Sequence, residues 1–205
     1  MIVFSEKTIR WGLKPHVFII SSIPFFALIW GLFFGQLGVN PVEVLTHSTG
    51  EWSLRFLLIS LVMTPLRHLT GSSIPVRFRR MLGLYAFFYL VLHFFIYIYL
   101  DHQFSVQFIW EDIKMRNFIA VGFLSFLVMI PLAATSFRTA QRKLGKRWVQ
   151  LHKTVYVCAI LGLLHFVWLV KADYNEVTIY VAVFLLLMVF RVYRVSRRRL
   201  AQLRT

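Results

Sequence analysis

The sequence has few acidic residues and little charge of any kind. Of its 205 residues only 8 are Asp or Glu, 15% are charged and 59% are hydrophobic. A soluble domain of this size exposes about half of its residues, so it cannot hide that much apolar surface. The 23 Lys and Arg residues would suggest nucleic-acid binding in a soluble protein, but here they lie between long apolar runs. We therefore expect a membrane protein with no nucleic-acid partner.

Disulfides, a cysteine metal site and a nucleotide-binding domain are also missing. Cys158 is the only cysteine, which excludes an intramolecular disulfide, and a lone thiol has no metal-site signature. We interpret it as a small side chain that fills space inside an apolar run. The sequence has no Gly-rich dinucleotide fingerprint, and no soluble domain is left outside the apolar runs. Any oxidase or reductase activity would therefore need a partner that binds the nucleotide.

Six apolar runs are long enough to cross a membrane. A bilayer core of about 30 Å requires about 20 mostly apolar residues in a helix, and continuous rather than alternating runs argue against a barrel. We predict an all-α polytopic membrane protein, a single domain over residues 1–205. Its six transmembrane helices are expected at about 16–35, 52–69, 81–100, 117–136, 150–170 and 177–193. The first run lacks a clear cleavage site and is expected to be retained, and the last should extend into the basic tail.

The segment before the second run carries helix signals of its own. Asn40 followed by Pro41 is a common way to start a helix, and Gly50 is a residue type that often ends one. We expect a short outer helix between these positions, separate from the second span. We find no internal repeat in the sequence.

The basic residues orient the bundle. Nineteen of the 23 fall on one side, with three in the N-terminal tail, four in the second loop, six in the fourth loop and six in the C-terminal tail. The other side holds seven of the eight acids. Lys and Arg concentrate in cytoplasmic loops, so both termini are predicted to be cytoplasmic.

Two of the seven histidines lie deep inside predicted spans. His93 is in the third span and His165 in the fifth, and ionisable side chains in spans are rare and usually face the bundle interior. Both spans run towards the outer side, and at 1.5 Å per residue the two imidazoles lie about 8–10 Å below the outer helix ends. His16, His68 and His102 are expected at span ends, and His47 is expected in an outer loop. His152 is considered separately below.

Two interpretations of this pair are open. Each histidine can be a neutral imidazole hydrogen-bonded to a neighbouring carbonyl, Tyr or Ser. Alternatively, His93 and His165 ligate one haem iron from opposite faces, because a porphyrin standing between the helices suits Phe- and Leu-rich walls. The equal height favours the second interpretation. Such an iron has no open position, which favours electron transfer over substrate chemistry.

A second haem near the inner side is less favoured. His152 lies about 20 Å below His165 and about 220° around an ideal helix. The position fourteen residues before His93 is Arg79, which is not an ordinary haem ligand. We therefore expect one outer haem. The inner basic residues either set the topology alone or hold an anionic phosphate, and those considered for this are Arg77, Arg79, Arg80, Arg142, Lys143, Lys146 and Arg147.

Four stretches resemble one known family. In order and spacing they are similar to the haem-binding membrane subunit of the bacterial periplasmic methionine-sulfoxide reductase system, the MsrQ (YedZ) family. The stretches are GVNPVEVLTHSTGEWSLRFLLISLVMTPLR, VRFRRMLGLYAFFYLVLHF, QRKLGKRWVQLHKTVYV and LLHFVW, and the resemblance covers about residues 12–195. The family belongs to the ferric-reductase-like transmembrane group, which shares the two histidines thirteen positions apart on the fifth span. Arg79 departs from two-haem relatives, which carry a histidine on that part of the third span.

The resemblance implies a haem b ligated by His93 and His165, with His152 either an alternative ligand or part of an inner site. It also implies a bound FMN, for which the candidates are Arg77, Arg79, Arg80 and Arg147. The protein would be a multi-pass protein of the bacterial cell inner membrane and form a heterodimer with a periplasmic molybdenum enzyme. Electrons would come from the quinone pool or a cytosolic flavin reductase. The partner would reduce methionine sulfoxide in oxidised periplasmic proteins, so the substrate chemistry lies outside this redox subunit.

Two other functions stay open. A ferric-reductase-like cytochrome could serve another periplasmic acceptor. A non-haem transporter could use the intramembrane histidines as a proton relay, but that function needs further polar groups in mid-membrane, and none of the eight acids lies there. Docking of a partner is expected on the outer loops 36–51 and 101–116.

Overall fold

The computed structural model describes residues 5–171 and 174–202 and is helical, as predicted. Within these residues nine α-helices follow one another: α1 Lys14–Phe33, α2 Pro41–Thr70, α3 Ile74–Ile96, α4 Val106–Met115, α5 Asn117–Ala134, α6 Arg138–Leu144, α7 Lys146–Leu151, α8 Val155–Leu169 and α9 Asn175–Gln202. Asp173 and Arg204, which entered the charge count, lie outside the described residues.

Five helical stretches are long and apolar enough to cross a membrane. They are Thr8–Phe33, Ile74–Asp101, Asn117–Ala134, Lys146–Leu169 and Asn175–Gln202. The chain is therefore a membrane protein with several apolar helices. The prediction that the last span extends into the basic tail is confirmed, because α9 continues to Gln202.

Helix α2 differs from these five in being less apolar and more enclosed. It carries Glu43, Glu51, Arg55 and Arg67 along its length. Eight of its residues are buried, and Leu61 is only 2% exposed. Its neighbours are protein side chains over much of its surface, so its stability in the bundle does not depend on apolar character alone.

The expected break at Gly50 is wrong. A single helix runs from Pro41 to Thr70, so the outer helix and the second span are one element. The predicted N-cap is confirmed, since the Asn40 side chain accepts a hydrogen bond from the Glu43 N–H. Gly50 stays inside the helix because its missing side chain leaves room for a neighbouring imidazole ring.

The fifth predicted span is interrupted at its inner end. Gly145, with a φ of 48°, separates α6 from α7, and a 3₁₀ segment at His152–Thr154 joins α7 to α8. Helix α4, a short helix whose N-cap is Ser105, was not predicted.

Two helical hairpins form the centre of the molecule. In the first, α2 and α3 pack antiparallel, and the buried Ser53 hydroxyl donates to the Ala86 carbonyl at 2.9 Å. In the second, α5 and α8 pack in the same way, and the Ser125 hydroxyl donates to the Cys158 carbonyl at 3.1 Å. Each pair spans 33 positions, and the two pairs are 72 residues apart. The structure therefore contains a repeat that the sequence analysis did not find.

Helix α1 is attached to the outside of the first hairpin. The fully buried Tyr89 hydroxyl on α3 donates to the Ser21 carbonyl at 2.9 Å and accepts from the Phe25 N–H at 3.0 Å. Before α1, Glu6 forms an ion pair with Arg77. The hydrogen bond from Arg77 lowers the pKa of the exposed Glu6 carboxyl.

Candidate functional site: paired imidazoles in an apolar cavity

A cavity of about 520 Å³ lies between the two hairpins. Helices α2, α3, α5 and α8 supply its walls, which are mainly aromatic and aliphatic. Phe94 on α3 stacks on Phe126 on α5, with ring centres 4.2 Å apart. Other wall residues are Leu54, Leu57, Phe123, Phe166 and Met129. A cavity of this volume and lining is suited to a largely apolar ligand.

The two histidines predicted at equal height meet in this cavity. The ring centres of His93 and His165 are 6.2 Å apart, and the ring planes are inclined by 79°. His93 comes from the first hairpin and His165 from the second, and both line the cavity. The expectation from helix geometry that they lie at one level is met by this short separation.

Both imidazoles are held in the same tautomer by backbone carbonyls. Nδ1 of His93 is 2.8 Å from the Thr46 carbonyl oxygen, and Nδ1 of His165 is 2.6 Å from that of Phe118. A carbonyl can only accept, so each Nδ1 must carry the hydrogen. Each Nε2 then carries a lone pair, and neither Nε2 has a hydrogen-bond partner among the described residues. This is the form in which imidazole binds a metal.

A glycine lies under each ring. A side-chain carbon built on Gly50 would stand 3.1 Å from Nδ1 of His93, and one built on Gly122 would stand 2.6 Å from Nδ1 of His165. Gly50 lies four residues after Thr46, and Gly122 lies four residues after Phe118. Each imidazole therefore lies over one turn of the helix that supplies its carbonyl partner. Both glycines were missed as site residues. The signal was present as Gly-x-x-Ser at 50–53 and at 122–125, each beginning 43 residues before its histidine.

The mouth of the cavity is polar and is formed around α4. Asp112 accepts from the Tyr97 hydroxyl at 3.3 Å and from Nε2 of His102 at 3.2 Å. Its other oxygen is 2.9 Å from Nε of Arg116. The expected location of His102 at a span end is met, but this residue and His47 also line the cavity. Asp112 and Arg116 were not predicted as site residues.

His152 does not belong to this cavity. Its Nε2 is 3.0 Å from the Thr135 hydroxyl oxygen, and its ring stacks on Trp148 with centres 4.0 Å apart. The Thr135 hydroxyl donates its hydrogen to the Pro131 carbonyl, so Nε2 of His152 must be the donor in their contact. The tautomer is therefore opposite to that of His93 and His165.

The four arginines considered for FMN differ in their surroundings. Arg77 pairs with Glu6, Arg79 is partly buried, and Arg80 and Arg147 are exposed. Three of them lie on α3, where Arg77 and Arg80, three positions apart, share a face and Arg79 points elsewhere. Their assignment to FMN stays a prediction.

Comparison with known proteins first defines the class of this chain. Residues 49–163 match the family described as ferric reductase like transmembrane component. The match spans both hairpins up to two residues before His165. Together with the apolar helices and the paired imidazoles, it makes the chain a ferric-reductase-like transmembrane protein.

Comparison with curated relatives then gives the particular family. A relative from Polaromonas naphthalenivorans is 47% identical over 92% of this chain and 89% of its own length. One from Rhodospirillum rubrum is 47% identical over 89% and 88%, and one from Ralstonia nicotianae 46% over 93% and 89%. All three carry the name protein-methionine-sulfoxide reductase heme-binding subunit MsrQ. The chain belongs to the MsrQ family, as its sequence motifs predicted, and no solved structure matches it.

Proposed function

We propose that this chain is a haem b electron-transfer subunit in which His93 and His165 are the two axial ligands of one iron. The observation that carries the proposal is the pair of Nδ1-protonated imidazoles facing one apolar cavity from two hairpins. The name heme-binding subunit, borne by its relatives, supports the same cofactor.

The distance between the rings fits this ligation. A metal–imidazole bond is about 2.0 Å, and a ring nitrogen lies about 1.1 Å from the ring centre, so two rings on one metal stand about 6 Å apart. The observed separation is 6.2 Å. Within the described residues no group of three or more His, Cys, Asp or Glu side chains could hold a bare metal ion. Two imidazoles alone are too few, so a macrocycle that brings its own equatorial nitrogens fits this site better than a free ion.

When bound, haem supplies one-electron transfer through its iron. Residues around the cavity determine the state and the surroundings of the two imidazoles. The Thr46 and Phe118 carbonyls hold the rings in the ligating tautomer, which also makes Nε2 more electron-donating. The mainly aromatic and aliphatic lining gives the rings apolar surroundings. With both axial positions occupied by protein, substrate chemistry must take place in another subunit.

We also propose a membrane topology from the distribution of the charged residues. We take α2 as a sixth span beside the five apolar stretches, because it forms the buried half of the first hairpin. Both termini then lie in the cytoplasm and the cavity mouth faces the periplasm, in a bacterial cell inner membrane.

The partners follow from the family. We propose that electrons arrive from the quinone pool or a cytosolic flavin reductase, and leave to a periplasmic molybdenum-containing methionine-sulfoxide reductase that repairs oxidised proteins. The relatives' name supports the connection to such a system. FMN remains part of the proposal from family resemblance, with no residue assigned to it. The outer loops 36–51 and 101–116, next to the cavity mouth, are the proposed docking region.

The test of the axial ligands is spectroscopic. Protein purified from haem-sufficient cells should show a b-type, six-coordinate low-spin spectrum. His93→Ala or His165→Ala should lose it, whereas His47→Ala, a histidine on the same cavity, should keep it. A full low-spin spectrum in both core variants would overturn the ligand assignment. Colourless wild-type protein would overturn the function.

A further inference from the structure

The charged residues of the cavity are all at one end. Glu51, Asp101, Asp112 and Arg116 lie at the mouth, whereas the remainder of the lining is apolar or neutral apart from the histidines. Haem has a similar polarity, because its two propionate carboxylates lie along one edge of an otherwise apolar ring. Burying a carboxylate in an apolar wall is costly unless it is paired. The propionate edge therefore belongs at the mouth.

Arg116 is the only Lys or Arg among the described residues that line the cavity. It lies at the junction of α4 and α5, where it is the N-cap residue of α5. Its Nε is 2.9 Å from Asp112, which is only 13% exposed. This contact orients the guanidinium group, while its two terminal nitrogens form no hydrogen bond or ion pair with the described residues. The side chain is 59% exposed, so these nitrogens are open to a further acceptor.

We propose that the terminal nitrogens of Arg116 bind a haem propionate and that Asp112 positions the guanidinium for it. The proposal rests on the proposed haem site and adds the direction in which the cofactor is seated. A guanidinium presents parallel N–H donors that match a carboxylate, and such charge-assisted pairs are stronger than neutral hydrogen bonds.

The neighbours of Arg116 make this cation more important. A propionate at the mouth comes near three carboxylates, those of Glu51, Asp101 and Asp112, and their charges repel it. Among the described residues that line the mouth, the basic groups that can offset this repulsion are Arg116, His102 and His47, and of these Arg116 alone is always charged. Arg55 does not line the cavity, and its side chain is engaged by Glu51 and Tyr180.

The test compares two forms of the cofactor. Full-length apoprotein in detergent is titrated with haem and with haem dimethyl ester, which has the same ring and iron but no propionate charge. The wild type should prefer haem. In Arg116→Gln the ratio of the two dissociation constants should fall by about tenfold or more, since a charge-assisted hydrogen bond is lost. Arg116→Lys should restore part of the preference.

The matched control is Lys114→Gln, which removes a cation two residues before Arg116, in the last turn of α4. Lys114 lies over the Trp110 ring and does not line the cavity, so its variant should keep the wild-type ratio. A second readout is the redox titration, in which Arg116→Gln should lower the ferrous-to-ferric ratio at fixed ambient potential by about tenfold. An unchanged ester ratio in Arg116→Gln, with the low-spin spectrum intact, would overturn the propionate contact and leave the axial ligands standing.

Discussion

The two hairpins that enclose the cavity share one arrangement of site residues, although most of their sequence positions differ. In both, a glycine, a serine three residues later and a histidine 43 residues after the glycine occupy corresponding places. The polar contacts correspond as well, since each histidine bonds a carbonyl 47 residues earlier and each serine bonds one 33 residues later. The comparison of the two hairpins shows that the geometry of a site can recur although the surrounding sequences differ.

The differences between the hairpins are equally informative. The first contains α2, which is less apolar than the other three hairpin helices, and a continuous partner, α3. The second contains the apolar α5 and a partner, α8, that is preceded by a 3₁₀ segment. The imidazole also lies closer to its glycine in the second hairpin than in the first. Helix composition therefore varies with the surroundings, whereas the contacts of the imidazole do not.

The largest effect is expected from removing either ligand. If the hairpins contribute equally, His93→Ala and His165→Ala should lose the low-spin haem to the same extent, and the double variant should lose no more, because one missing ligand already breaks the bis-imidazole site. Haem per protein and the ferric spectrum measure this. Clearly unequal single variants would show that one hairpin dominates binding.

The next largest effect separates the two glycines. In Gly122→Ala the new methyl group would stand 2.6 Å from the imidazole, so the ring or helix must shift, at a cost of about 1–3 kcal/mol for overpacking. In Gly50→Ala the contact is 3.1 Å, so a smaller shift relieves it. Both glycines lie inside helices, so both variants also gain about 1 kcal/mol in helix propensity.

Haem retention during thermal unfolding in detergent should therefore fall more in Gly122→Ala than in Gly50→Ala. The reverse order would mean that the closer contact is the more easily relieved one.

A smaller effect is expected at the two serines. Ser53→Ala and Ser125→Ala each remove a buried hydroxyl that joins two helices, which should lower the free energy of unfolding by about 1 kcal/mol. Ser125 also lies 3.4 Å from the Cys158 sulfur, so its loss should be the larger of the two. Apparent melting temperatures of the purified variants check this, and the haem spectrum should stay unchanged in both.

The smallest effect on the cavity is expected from His152→Ala. The residue 72 positions earlier is Arg80, so this imidazole has no counterpart in the first hairpin. Its loss removes a contact with Thr135 and a stack on Trp148, which should reduce stability by about 0.5–1.5 kcal/mol. The spectrum of the haem bound by His93 and His165 should not change. A lost or shifted low-spin spectrum would place His152 in the site after all.

Much of the fold could be predicted because it depends on local sequence. Apolar runs marked the helices, the Asn40–Pro41 pair marked the start of α2, and counting residues put His93 and His165 at one height. The errors arose where a tertiary contact replaced a local signal. Gly50 is a helix stop by type, but the ring of His93 packs against it and the helix continues.

The remaining site residues were not predicted because the sequence does not show which residues line the cavity. Asp112 and Arg116 are only four residues apart, but the packing of the hairpins decides that they line the same cavity as His93 and His165. The repeat was missed because few positions match at the 72-residue offset, among them the two glycines, the two serines and the Leu-His-Phe triplets at 92–94 and 164–166.

The sequence by itself determined that the chain is a membrane protein, where its long apolar helices lie, and which of them carry His93 and His165. Hydropathy and helix rise are sums along the chain, so these features need no partner. The tertiary structure alone decided which ring nitrogen faces the cavity, how closely each imidazole approaches the opposite backbone, and where the charges gather. Those features depend on a carbonyl, a glycine or a carboxylate brought from elsewhere, and only packing creates such neighbours.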